Sequence, residues 1–181
     1  LLTVASTLSF IDRQILNVMI GPIKRDLGGL TDTEISLIIG LAFSLIYTIV
    51  TVPLARLADH RSRRNIIAAG IFAWSAMTAL AGMANTYWQL FAARMGGGVG
   101  EAALGPASTS MLADFFEDNQ LPLAYGIVGT APCIGTGLAG SVGGQLIDYL
   151  ETQPNLVLPF FGEVFSWQTV RIVVGLPGLL I

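Results

Sequence analysis

Apolar residues run through this chain in six long stretches, separated by short joints rich in Gly, Pro and charge: about 1 to 20, 33 to 56, 65 to 84, 87 to 116, 122 to 147 and 167 to 181. At about 1.5 Å per residue, each complete stretch is long enough to cross a hydrocarbon core of roughly 30 Å as a helix. The pattern predicts an all-α transmembrane bundle of six helices. The joint "GPIKRDLGGLTDTE" places Thr31 and Glu34 at capping-box spacing at the head of the second span. "ARLADHRSRRN" separates spans two and three, and the joint "ANT" is so short that spans three and four must be antiparallel neighbours. The loop "YLETQPNLVLPFFGEVFSW" holds two prolines and several aromatics, and part of it is expected on the lipid surface.

Composition agrees with a membrane protein. Hydrophobic residues make up 53% and charged residues 12%, against about 25% charged in an average soluble domain. A net charge of -3, spread over the joints, offers no basic surface for nucleic acid. Cys133 stands alone, which excludes an internal disulfide and leaves no metal framework. His60 is the one histidine and lies in the arginine-rich joint, so no nucleophile-and-base set points to an enzyme. No cofactor is expected. Arg56, Arg61, Arg63 and Arg64 crowd the joint after span two, against Lys24 and Arg25 in the first loop. The positive-inside rule then puts both ends of the bundle, including the N-terminus, in the cytoplasm. The chain begins at Leu1 without Met and stops at Ile181 within an apolar run, so it is expected to be a fragment.

Four charges fall where joints cannot absorb them. Asp12 and Arg13 lie within span one, Arg94 and Glu101 within span four. Each costs roughly 2.5 to 3.5 kcal/mol on insertion scales, and four would oppose insertion by about 10 kcal/mol unless paired or facing a cavity. Helix rise puts Asp12 about 13 Å below the outer end of span one and Arg94 about 12 Å below Thr86, a shared level at which they can pair. Glu101 is seven residues beyond Arg94, on the same face and about 10 Å deeper. No other basic residue is expected at that depth, which leaves Glu101 able to gain and lose a proton. A static Asp12–Arg94 pair that only fixes helix packing is the plainer alternative.

Gly96, Gly98 and Gly100 put small surfaces on adjacent faces of span four, and Gly96 with Gly100 has the GxxxG spacing for close backbone approach. A phosphate-loop reading fails, because neither a preceding strand nor a free helix N-terminus is present. Span five repeats the device, and Pro132 among its glycines points to a bendable or mildly kinked helix.

"ARLADHRSRR" (55 to 64) resembles the signature G-x-L-A-D-R-x-G-R-R between spans two and three of the major facilitator superfamily. "LFAARMGGGVGEA" (90 to 102) resembles its span-four pattern L-x-x-x-R-x-x-Q-G-x-G-A-A. Ala55, His60 and Ser62 depart from the first, Gly97 and Glu101 from the second. "FIDRQIL" in span one with "GVGEA" in span four resembles the spinster-like branch, which includes sphingolipid and lysophospholipid carriers. The resemblance implies the six-helix N-terminal half of a twelve-helix fold, the C-terminal half being absent. By the same resemblance, Asp12 is a proton-accepting acid, Arg94 its partner and Glu101 an acid tied to coupling and substrate, with Arg13 beside them. Asp59 and Arg63 would latch the cytoplasmic side, with Arg64 in the same gate, and Asp114, level with that joint, joins Asp59 and Arg63 as a third member.

The expected function is secondary active transport of a small amphiphilic or lipid-like substrate by proton-coupled alternating access. Membrane lipids, substrate, protons and the missing half are the expected partners, in a multi-pass protein of the cell (inner) membrane. A six-span scaffold or channel module without transport of its own is the alternative, and a membrane enzyme the remote one.

Overall fold

The computed structural model describes residues 1–152, 156–158 and 162–180. Span one is the helix Leu2–Val18, which bends at Met19 and continues as Ile20–Asp26. The bend has a cause in Pro22, which lacks the N–H that would bond the Val18 carbonyl. Gly28 and Gly29, at φ 87° and 77°, then turn the chain in a left-handed conformation open to glycine. Thr31 opens span two with a full capping box: its hydroxyl accepts from the Glu34 N–H, and the Glu34 carboxylate accepts from the Thr31 N–H at 2.8 Å. Span two runs Asp32–Ser36, a π-helical turn Leu37–Ala42, and Phe43–His60. Span three is Arg63–Ala81.

Span four, drawn as continuous over 87 to 116, is two segments, Tyr87–Ala102 and Leu104–Phe115. Pro106 accounts for the break, since it has no N–H for the Ala102 carbonyl. Span five is likewise divided into Leu121–Gly129, Ala131–Leu138, a π turn Ala139–Gly143 and Gly144–Glu151. Pro132 stands two residues past the first interruption, where the Val128 carbonyl loses its donor. The loop before span six contains an antiparallel pair of strands, Leu156–Leu158 and Gly162–Val164; residues 153–155 and 159–161 of the loop expected at the lipid surface lie outside the described residues. Span six is Ser166–Gly175, followed by a 3-10 turn Leu176–Leu180.

Three helices among the described residues are long and apolar enough to cross a membrane by length and composition alone: Asp32–His60, Arg63–Ala81 and Leu121–Glu151. The other three spans are shortened by proline breaks or carry the buried charges.

The bundle has two tightly joined parts. Span one packs chiefly on span five, while span three packs on spans four and six, and span two on span four. At the first junction, a Cβ on Gly135 would lie 2.8 Å from the Thr7 carbonyl. In the second part, a Cβ on Gly70 would lie 2.8 Å from the Gly100 carbonyl and one on Gly175 2.9 Å from Ala79 N. Backbones at such distances leave no room for a side chain, which is the close approach that small residues permit inside membranes. Two apolar clusters fill the interior, one around Ile15, Leu16, Ile38, Leu90 and Trp167, the other around Ala5, Ile67, Trp74, Leu104 and Ala107. Leu45, Ile49, Phe72, Trp88, Ile134 and Val142 are exposed, as expected where lipid replaces water.

Candidate functional site: a buried ionic layer beside a cavity

Between the two apolar clusters lies a layer of charge. Asp12, Arg94, Glu101 and Arg171 are each no more than 2% exposed. Arg94 Nη1 donates to Asp12 Oδ2 at 3.0 Å, and Arg171 Nη1 donates to Asp12 Oδ1 at 2.5 Å. Arg171 Nη1 also reaches the Asp12 backbone carbonyl at 3.4 Å. The level shared by Asp12 and Arg94, estimated from helix rise, is thus the level at which they bond.

Glu101 has a partner that depth alone concealed. Its Oε2 accepts from Arg13 Nε at 2.6 Å and from Ser9 Oγ at 2.5 Å, so the expectation that no basic residue sits at its level is overturned. Side chains on a helix lean toward its N-terminus. Spans one and four run in opposite directions, so Arg13 leans toward the end at which span one begins, Glu101 leans toward the opposite end, and the two close a gap that backbone positions overstate. The Arg13 guanidinium also lies 4.5 Å from the Phe43 ring centroid and 5.1 Å from that of Tyr47, in cation–π contact.

A cavity of about 330 Å³ opens beside this layer. Ser6, Ser9, Phe10 and Arg13 line it from span one, Tyr47 from span two, Glu101 and Ser108 from span four, and Tyr125 and Pro132 from span five. Its wall mixes polar side chains, Ser6, Ser9, Arg13 and Glu101, with apolar ones, Phe10, Leu104 and Pro132. Glu101 Oε1 and Ser108 Oγ are buried without hydrogen-bond partners. Asp12, Arg94 and Arg171 stand behind that wall.

At the opposite end of spans three and four, Arg63 forms an ion pair with Asp114. A second cavity, of about 350 Å³, is lined there by Asp59, Arg61, Arg63, Arg64 and Asp114. Asp59 and Arg64 share in that wall without an ion pair among the described residues. The span-four glycines divide their work: Gly100 lies against the Gly70–Trp74 backbone of span three, Gly96 against the Met77 side chain, and Gly98 against the Phe43 carbonyl of span two. Cys133 is exposed.

Arg171 and Ser9 were not anticipated from the sequence. Arg171 carried a usable signal, because it interrupts the apolar run "SWQTVRIVVGL" just as Arg94 interrupts span four. Ser9 carried none, since a lone serine inside a transmembrane helix is ordinary.

Known proteins share this architecture. A crystal structure of a bacterial homolog of the human lysosomal transporter spinster, inward-facing and unoccupied, superposes with a TM-score of 0.87 at 30% identity, covering 99% of this chain and 40% of that one. Over all 181 residues the chain is 28% identical to a probable L-galactonate transporter of Escherichia coli, of which it spans 36%. It is 32% identical over 111 residues to the sphingosine-1-phosphate transporter of Danio rerio, covering 56% of this chain and 22% of that protein. The chain thus spans two fifths or less of the length of these relatives. The family model described as Major Facilitator Superfamily matches residues 2–181, and the chain belongs to that family of integral membrane transporters, which are not enzymes.

Proposed function

We propose that this chain forms the N-terminal half of a secondary active transporter that moves a small anionic amphiphile by proton-coupled alternating access. The observation that carries the reading is the ionic layer of two buried carboxylates and three arginines, Arg13 part-buried at the cavity, against a cavity of mixed polar and apolar lining. A proton on Glu101 leaves Arg13 without a charged partner, and one on Asp12 leaves both Arg94 and Arg171 without one. Breaking a buried pair costs about 3 to 5 kcal/mol, enough to move a two-state equilibrium between inward- and outward-open forms by a factor of 100 or more. Glu101, on the cavity wall, meets substrate and protons directly; Asp12 responds from behind it.

The substrate class follows from the wall and the charge count. Three guanidiniums against two carboxylates leave one positive charge in excess, which favours an anionic headgroup, while Phe10, Leu104 and Pro132 offer an apolar surface. L-galactonate and sphingosine-1-phosphate, named for two relatives, both carry an anionic group. The Arg63–Asp114 pair with Asp59 and Arg64 forms the cytoplasmic gate, and positive charge at this end sets the N-terminus inside the cell membrane.

The test is counterflow in proteoliposomes of the full-length gene product, with labelled lysophosphatidate and a labelled sugar acid as probes. Exchange of labelled for unlabelled probe is expected from a carrier and absent from a scaffold. Imposed proton gradients should drive uptake in the unaltered protein and not in Asp12→Asn; undiminished gradient-driven uptake in that variant overturns the proton coupling.

A further inference from the structure

Beside the arginine-lined cavity at the Arg63–Asp114 end lies a third one, of about 290 Å³ and different chemistry. The two meet at Arg64 and Met111, which line both. Arg64, Ile67, Ala68 and Ile71 form the span-three wall of the third cavity. Their spacing of three and four residues makes them one stripe of the helix, running from the joint about 10 Å toward the middle of the bundle. Ala5 of span one packs with Ile67 and Ile71, and all three are buried. Ala68 is exposed, as is Phe72 one turn further along. The groove therefore has a packed floor and a mouth on the surface that hydrocarbon covers, with Arg64 as its one charged lining residue among those described.

We propose that these two adjoining cavities form a binding site for one anionic phospholipid, its phosphate held by Arg61 and Arg64 and an acyl chain laid along the span-three stripe. Charge favours this occupant. The polar half holds three guanidiniums against the carboxylates of Asp59 and Asp114. Asp114 is taken by Arg63, and neither Arg61 nor Arg64 has an ion pair among the described residues. Arg63 Nε is also buried without a hydrogen-bond partner. A phosphate diester balances the excess charge and offers the oxygens that guanidiniums bond in pairs. Basic pockets between transmembrane helices at headgroup level are where such lipids are held.

Depth favours it too. The stripe covers about a third of a roughly 30 Å hydrocarbon core, the upper part of one leaflet. A soluble anion leaves that stripe empty, and an extended peptide would bring its backbone N–H and C=O groups into hydrocarbon. A lipid alone satisfies both halves. Because Arg64 also stands beside the Arg63–Asp114 pair, an occupied site neutralises the excess positive charge next to the proposed gate.

The experiment is native mass spectrometry of the delipidated full-length protein in detergent, titrated with dioleoyl phosphatidylglycerol and, separately, with dioleoyl phosphatidylcholine. The anionic lipid is expected to bind several-fold more tightly. Arg61→Gln/Arg64→Gln should weaken it by about 25-fold, about fivefold for each arginine lost. Arg56→Gln, which removes an arginine of the same joint that lines neither cavity, should stay near the parent. Ala68→Trp fills the groove while keeping every charge and should also weaken binding; Ala68→Leu makes the same comparison if melting shows that the larger side chain impairs folding. Equal retention of the two lipids by the parent overturns the proposal, as does displacement of phosphatidylglycerol by excess glycerophosphate, which marks a site for soluble anions. Binding that is undiminished in both Ala68 variants, or lost equally in Arg56→Gln, marks diffuse attraction and overturns the site as well. Parental binding in every variant puts the lipid elsewhere, the central cavity included, with the same result. Lipid binding in detergent needs neither transport nor a proton gradient, so its failure leaves the transport reading intact.

Discussion

Arg171 on span six and Asp12 on span one are bonded twice, side chain to carboxylate at 2.5 Å and side chain to backbone carbonyl at 3.4 Å, with both residues 1% exposed or less. Residues 159 positions apart thus share one buried charge with Arg94. Removing the one acid therefore strands two buried guanidiniums at once.

Asp12→Ala leaves two guanidiniums facing each other in a dry interior. Breaking a buried pair in this way costs about 3 to 5 kcal/mol. Asp12→Asn, which retains an acceptor oxygen, should cost less. Thermal unfolding in detergent should rank the three proteins parent, Asn, Ala; an Ala variant as stable as the parent contradicts the buried triad.

Gly100→Ala and Gly97→Ala separate packing from propensity. A Cβ on Gly100 would press on the Trp74 backbone N and lie 2.7 Å from the Gly70 carbonyl, whereas one on Gly97 meets nothing within 4 Å. The first forces spans three and four apart and should cost about 1 to 3 kcal/mol. The second should be neutral, or stabilising by about 0.5 to 1 kcal/mol through helix propensity. Parallel melting curves of the two variants decide it.

Arg63→Gln tests the gate against simple stability. The Arg63–Asp114 pair is half-exposed, with side chains 29% and 58% accessible, and such pairs contribute about 0 to 1 kcal/mol. The variant should melt close to the parent while its counterflow rate changes several-fold, and the exchanged pair Arg63→Asp/Asp114→Arg should recover much of the rate. A large loss of stability with unchanged transport contradicts a gating role.

The head of span two tests the capping box. Thr31 Oγ1 accepts from the Glu34 N–H, and the Glu34 carboxylate accepts from the Thr31 N–H and hydroxyl. Thr31→Ala should quicken amide exchange at Ile35 at pH 7, by loss of a cap of about 1 kcal/mol; exchange at the parent's rate contradicts a stabilising cap.

Much of the bundle was legible because membranes impose a strict code. Span two, its capping box and the short joint before span four follow from apolar run length, from Thr31 and Glu34, and from the three residues "ANT". The break of span four at Ala103 was legible too, in Pro106, although a continuous helix was drawn across it. Pairing of Asp12 with Arg94 followed from helix rise, since both positions are measured from span ends on one axis.

Glu101 marks where that code stopped. Its pairing with Arg13 depends on the opposite lean of side chains on antiparallel helices, and its bond to Ser9 on which face of span one turns toward span four. The bond of Arg171 to Asp12 depends on span six being set against span three by Gly82 and Gly175. Sequence by itself determined that these helices form and that charged groups must be buried among them, because hydrocarbon leaves backbone and charge no other solution. Only the tertiary structure decided which charge meets which, because partners on different helices are chosen by side-chain reach and close backbone packing, and neither is written in the order of residues along one span.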